Sequence, residues 1–101
     1  MEHFAALADP TRRQIVETLA SGPLSSGDIA GRFAITKPAI SQHLKTLRTA
    51  GLVRMRPDGQ RRIYELDRAG VEAMAAWVEG IRRFWAPRLD ALEEQLKRDE
   101  P

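Results

Sequence analysis

The 101-residue chain contains no cysteine. That absence excludes a disulfide framework, thiolate chemistry and every zinc site built on sulfur. Long apolar runs are missing too. The longest covers residues 73–78, far short of the ~20 residues a membrane-spanning helix needs. The first thirteen residues carry Glu2, Asp9, Arg12 and Arg13 and lack the apolar stretch of a secretory signal. Histidine is limited to His3 and His43, and their spacing makes no metal site. There is no Cys/His pair, no Ser/His/Asp arrangement within a supporting motif and no phosphate-cradling glycine loop. Nothing therefore points to an enzyme or to a cofactor, and the chain reads as soluble and cytoplasmic.

What is present suffices for one domain over residues 1–101. Hydrophobic residues make up 43% of the chain, enough for a core, and charged residues 30%, a balance that argues against disorder. The net charge of +2 conceals a partition. Residues 1–31 hold two basic side chains against four acidic ones, a charge of −2. Residues 32–62 hold eight basic side chains against Asp58 alone, +7, and residues 63–101 hold six against nine, −3. A basic third between acidic flanks is the electrostatic footprint of a phosphate-binding surface. A chance cluster on a solvated face is the bland alternative.

Helix punctuation is dense in the first half. Leu7 and Phe4 suggest a short first helix. Asp9-Pro10 supplies a capping oxygen followed by proline at the first helical position. Ile15, Val16 and Leu19 then mark the buried side, and Ser21-Gly22-Pro23 ends the helix. Ser25 and Asp28 have the spacing of a capping box ahead of Ile29, Ala30 and Phe33. Thr36 is the next cap, with Pro38 in the tolerant first turn, and a helix is predicted from Lys37 to Ala50, closed by Gly51. Ile40, Leu44 and Leu47 form its buried stripe. Two short helices joined by a tight turn make a helix-turn-helix, here over about residues 25–50.

A hairpin is predicted over about residues 52–66, with its turn at Pro57-Asp58-Gly59-Gln60. Alternation sets Val53 and Met55 against Arg54 and Arg56, and Tyr64 and Leu66 are expected inward, opposite Ile63. From Arg68 to residue 98 apolar residues recur every three or four positions: Val71, Met74, Val78, Ile81, Trp85, Leu89, Leu92 and Leu96. Trp77 and Phe84 widen that face, and Pro87 either kinks the helix or splits it. So small a domain cannot cover this much apolar surface alone, which implies a partner subunit. The alternative is that Trp77, Phe84 and Trp85 fold back onto the monomer core.

A helix of this diameter fits the DNA major groove. Pro38, Gln42, Lys45 and Thr49 lie opposite the buried stripe, Lys37, Ser41 and Arg48 on one flank and Thr46 on the other. Gln42 suits adenine, Lys37 and Lys45 suit guanine or phosphate, and Thr36 and Ser41 suit phosphate oxygens. Arg54, Arg56, Arg61 and Arg62 would grip the flanking backbone, one of them reaching a minor groove from the wing tip. His43, beside the buried stripe, is either a packing residue, the favoured reading, or a base reader or ligand.

Two blocks carry a family resemblance: Leu7-Ala8-Asp9-Pro10-Thr11-Arg12-Arg13-Gln14-Ile15, and Ser41-Gln42-His43-Leu44-Lys45-Thr46-Leu47-Arg48-Thr49-Ala50-Gly51-Leu52-Val53. With Gly59-Gln60-Arg61-Arg62-Ile63-Tyr64-Glu65-Leu66, the chain resembles ArsR-type winged helix-turn-helix repressors over roughly residues 4–70. The resemblance implies a mainly helical fold with a β-hairpin wing. It also implies a homodimeric repressor of a two-fold symmetric site in double-stranded DNA, released by a signal. The dimer interface would come from the helices of residues 1–21 and 68–98, here Phe4, Leu7, Trp77, Val78, Ile81, Phe84, Trp85, Leu89 and Leu92. Metal-sensing relatives carry a Cys-Val-Cys type motif where this chain has Leu24-Ser25-Ser26-Gly27-Asp28. Others place Asp and His ligands on the last helix, yet residues 67–98 hold no histidine. The chain therefore resembles the branch that senses no metal, and its inducing ligand is unknown. A protein-docking winged helix is the rival reading.

Overall fold

A computed structural model describes residues 2–100 of the chain. The order is α1 (Glu2–Ala6), α2 (Pro10–Leu19), β1 (Leu24–Ser25), α3 (Ser26–Ala30), α4 (Lys37–Thr49), β2 (Val53–Asp58), β3 (Arg61–Leu66) and α5 (Arg68–Arg98). The capping chemistry works as expected. Asp9 Oδ2 accepts from the Arg12 N–H at 3.0 Å, Ser25 Oγ from the Asp28 N–H at 3.1 Å, and Thr36 Oγ1 from the Ala39 N–H at 3.2 Å. Each satisfies one of the orphan donors of a first helical turn. The Arg12 hydrogen bond, aided by the charges of His43 and Arg12 and opposed by burial, holds the Asp9 carboxyl below its ordinary value. The Ser25 box is only half closed, because the Asp28 carboxylate reaches Arg61 instead.

α4 ends in a Schellman motif. The Leu52 N–H bonds the Leu47 carbonyl at 3.0 Å and the Gly51 N–H bonds Arg48 at 2.9 Å. Gly51 takes the left-handed φ of 78° that the motif requires. Leu47 and Leu52 are both fully buried there.

Three expectations need correction. The sheet has three strands in the order β1-β3-β2, not two, since Leu24 and Ser25 pair antiparallel with Tyr64 and Ile63. β3 is thus the middle strand, and both α2 and α3 pack on it. Ile63 and Tyr64, on opposite faces, are accordingly both buried, while Leu66 is half-buried. Second, the hairpin turn is Gly59-Gln60 alone. Pro57 and Asp58 belong to β2 and pair with Arg62 and Arg61. Gly59 has φ 64°, and among the described residues no non-glycine residue has positive φ, which fits a two-residue turn with glycine first. Pro57 is tolerated because β2 is an edge strand. Third, α3 stops at Ala30, so Phe33 lies half-buried in the turn rather than on the helix.

The chain divides after Val71 into two units. The first has its core in Ile15, Leu19, Ile29, Ile40, Leu44, Leu47, Leu52, Val53, Ile63 and Tyr64. Gly70, in the first turn of α5, is buried against the α4–β2 link, and a Cβ there would overlap the Gly51 carbonyl. Gly70→Ala is expected to destabilise the fold by about 2 kcal/mol or more, since the obstacle is backbone and cannot swing aside. A thermal melt checks this. An unchanged melting temperature would show that the contact yields easily.

The second unit is the rest of α5, which runs unbroken through Pro87. Proline has no N–H for the Arg83 carbonyl one turn back. Glu-to-base pairs at i,i+4 support the helix, among them Glu79–Arg83, Glu93–Lys97 and Glu94–Arg98. Trp77, Val78, Ile81, Phe84, Trp85, Leu89, Leu92 and Leu96 are each 43–59% exposed. Projected at 100° per residue they fall within an arc of about 140°. Among the described residues, no helix is long and apolar enough to cross a membrane.

Candidate nucleic-acid interface

The buried stripe of α4 decides which side chains face outward. With Ile40, Leu44 and Leu47 fully inside, the helix presents Lys37, Pro38, Ser41, Gln42, Lys45 and Arg48 to solvent, with Thr46 half-buried on the flank. The Thr46 hydroxyl donates to the Gln42 carbonyl at 3.1 Å, so its proton is already engaged. Thr36 is exposed, its oxygen serving as the α4 cap. α4 contains no acidic residue. Among the described residues Lys37, Lys45 and Arg48 make no ion pair. Gln42, Lys45 and Thr46 also border a shallow depression of about 270 Å³ shared with Ala5 and Ala6 of α1.

His43 points the other way. Its side chain is 22% exposed, with Nδ1 at 4.0 Å from Asp9 Oδ2 and 3.4 Å from Arg12 Nη1. Arg12 Nε in turn donates to the Ala6 carbonyl at 2.6 Å, and Arg13 Nη1 to the Leu7 carbonyl at 3.2 Å. One guanidinium therefore ties the end of α1 to α4, and the histidine is part of that support. His3, for which the sequence suggested no role, is half-buried, and its Nδ1 has no hydrogen-bond partner.

The four wing arginines, alike in sequence, differ in the fold. Arg54 Nε donates to Glu65 Oε1 at 2.8 Å, and Arg56 Nε lies 3.8 Å from the same oxygen. Arg61 Nη2 is 3.5 Å from Asp28 Oδ2 on α3. Arg62, on the opposite pleat next to the turn, makes no ion pair among the described residues and is exposed. The sequence reading missed both acidic partners. The signal for Glu65 was the hairpin register, which a two-residue turn sets.

Helices capped into a tight turn, an outward-facing polar helix and an arginine-bearing hairpin define a winged helix-turn-helix. Residues 9–55 match the family described as bacterial regulatory protein, arsR family. The chain is 51% identical over 86 residues to the HTH-type transcriptional regulator Rv2034 of Mycobacterium tuberculosis, covering 85% of this chain and 78% of that one. It is 39% identical over 75 residues to the transcriptional repressor SdpR of Bacillus subtilis, covering 74% and 83%. An ArsR-like transcriptional regulator from Rhodococcus sp. RHA1 superposes with a TM-score of 0.77 at 32% identity, over 92% of this chain and 88% of that one. The chain belongs to the ArsR family of bacterial regulatory proteins.

Proposed function

We propose that two copies of this chain bind one two-fold symmetric site in duplex DNA and repress transcription from it. The relatives are transcriptional regulators and repressors, and the chain is a DNA-binding repressor of their family rather than an enzyme. One observation supports the detailed reading: α4 contains no acidic residue, and among the described residues its three cations make no ion pair. Placed in a major groove, Gln42 pairs with a base edge, Lys37 and Lys45 reach guanine or phosphate, and Pro38 and Thr46 border the bases. Thr36, Ser41 and Arg48 meet the backbone. Arg54, Arg56, Arg61 and Arg62 hold flanking phosphates. A protein-docking role is not favoured, since it has no use for this cationic face.

The second copy covers the apolar stripe of α5. Trp77, Val78, Ile81, Phe84, Trp85, Leu89 and Leu92 form its contact face, and Phe4 of α1 and Leu7, just beyond its end, serve the same assembly. Phe84 and Trp85 stand edge to face at 5.2 Å, and Arg88 stacks on Phe84, which stiffens the stripe for docking. The operator lies in the cytoplasm, where the protein acts as a single winged-helix domain over residues 1–101. The releasing signal is not a metal bound by this chain's thiolates, because the sequence holds no cysteine, and an Asp/His site on α5 lacks its histidine, since residues 67–98 hold none.

Two single substitutions test the division of labour. Gln42→Ala is expected to cost about 1–3 kcal/mol on the preferred sequence and little on others. Arg62→Ala is expected to weaken binding to every duplex alike. Anisotropy titrations with the preferred and a scrambled duplex read both. If both variants change the two affinities by the same ratio, the assignment of base reading to Gln42 fails.

A further inference from the structure

Arg54 and Arg56 both turn Nε towards one carboxylate: Arg54 is hydrogen-bonded to it at 2.8 Å, and Arg56 lies at ion-pair distance, 3.8 Å. Glu65 sits directly across from Arg54 in the β2–β3 register, with Arg56 two residues along on the same pleat. Its side chain is only 20% exposed, while those of Arg54 and Arg56 are 68% and 53% exposed. The carboxylate is thus the fixed, sheltered member of the group. A guanidinium held at Nε keeps its two Nη groups turned outward, the edge that pairs with a phosphate in bidentate fashion.

We propose that Glu65 is a positioning residue for DNA binding: it holds Arg54 and Arg56 so that their Nη edges face the phosphate backbone. The proposal rests on the reading that the wing contacts DNA. Two effects of Glu65 oppose each other. Its negative charge repels phosphate, but a single surface charge is screened within about 8 Å at physiological salt and changes affinity by roughly twofold. Holding a rotamer-rich side chain in its bound orientation is worth about two- to tenfold for each arginine. Orientation outweighs repulsion, so removing the acid weakens binding although it adds net positive charge.

The test is a double-mutant cycle on the full chain, read by anisotropy with duplex DNA at 0.15 M salt. Glu65→Ala is expected to lower affinity about three- to tenfold. In the Arg54→Ala/Arg56→Ala background the same substitution is expected to lower it no further, since nothing is left to orient. Without DNA, the Nε–Hε resonance of Arg54 should be protected from water exchange in the parent and lose that protection in Glu65→Ala. Affinity that is unchanged or higher in Glu65→Ala overturns the proposal. An equal loss in both backgrounds also overturns it, because the residue would then merely support the wing. If Arg54→Ala/Arg56→Ala leaves affinity intact, the wing reading itself fails, and that result is visible without any Glu65 variant.

Discussion

Ile81→Glu and Trp85→Glu are each expected to turn the proposed dimer into a monomer and to lower affinity for a two-fold DNA site by about 10²- to 10⁴-fold. The loss arises because a dimer delivers its second α4 intramolecularly, at an effective concentration a free monomer cannot match. Eight large apolar side chains on α5 remain about half exposed in the single chain. Aromatic side chains bury roughly 150–250 Å² each when fully covered; Trp77, Phe84 and Trp85, about half exposed, therefore offer a few hundred Å² towards the ~800 Å² per partner of a stable interface, and the other five apolar side chains add to it. A carboxylate in the middle of that stripe would be buried without a partner, at a cost of several kcal/mol. The core of the first unit contains no residue of the stripe, so its cooperative unfolding should persist in both variants. Light scattering reads the mass. A variant that keeps twice the monomer mass would show that the stripe is not the interface.

Replacing Lys37, Lys45 and Arg48 together by alanine is expected to flatten the salt dependence of DNA binding. Each cation that neutralises a phosphate contributes about −0.9 to the slope of log affinity against log salt. Three per protomer and six per dimer amount to a change of about five, with affinity falling roughly a thousandfold or more at 0.1 M salt. These side chains make the sharpest test because among the described residues none of them is in an ion pair, in contrast to Arg54, Arg56 and Arg61. All three lie on the exposed side of α4, so the fold should tolerate their loss. A slope equal to that of the parent would place the DNA contact elsewhere.

The parts of this fold legible in the sequence are those whose causes are local. Asp9-Pro10, Ser25, Thr36 and Gly51 each act on N–H or C=O groups within a few residues, and the helices begin and end where these residues put them. The 68–98 helix followed from its apolar spacing alone. Features set by distant pairing were hidden. β1 is two residues long, too short for any period, and exists because Tyr64 and Ile63 lie beside it. Gly70 looks like an ordinary helical glycine until the Gly51 carbonyl is placed against it.

The site divides along the same line. The outward face of α4 follows from three buried residues at helical spacing. The wing does not, because the partners of its arginines depend on turn length. A four-residue turn would set Arg56 across from Arg61, whereas Gly59-Gln60 sets Arg54 across from Glu65. The shift of two positions keeps every residue on its face but changes its neighbour. It brings Glu65 to Arg54 and near Arg56, while Arg61 meets Asp28 of α3 and Arg62 makes no ion pair among the described residues.

The central claim is a dimer on a two-fold DNA site, and footprinting on the DNA upstream of the protein's own gene tests it most directly. The expected result is a pair of protected half-sites related by two-fold symmetry, with centres about 34 Å or a multiple apart. Protection should fade as salt rises and persist when zinc or arsenite is added. One unpaired protected segment, or protection with no preferred sequence, would contradict the account.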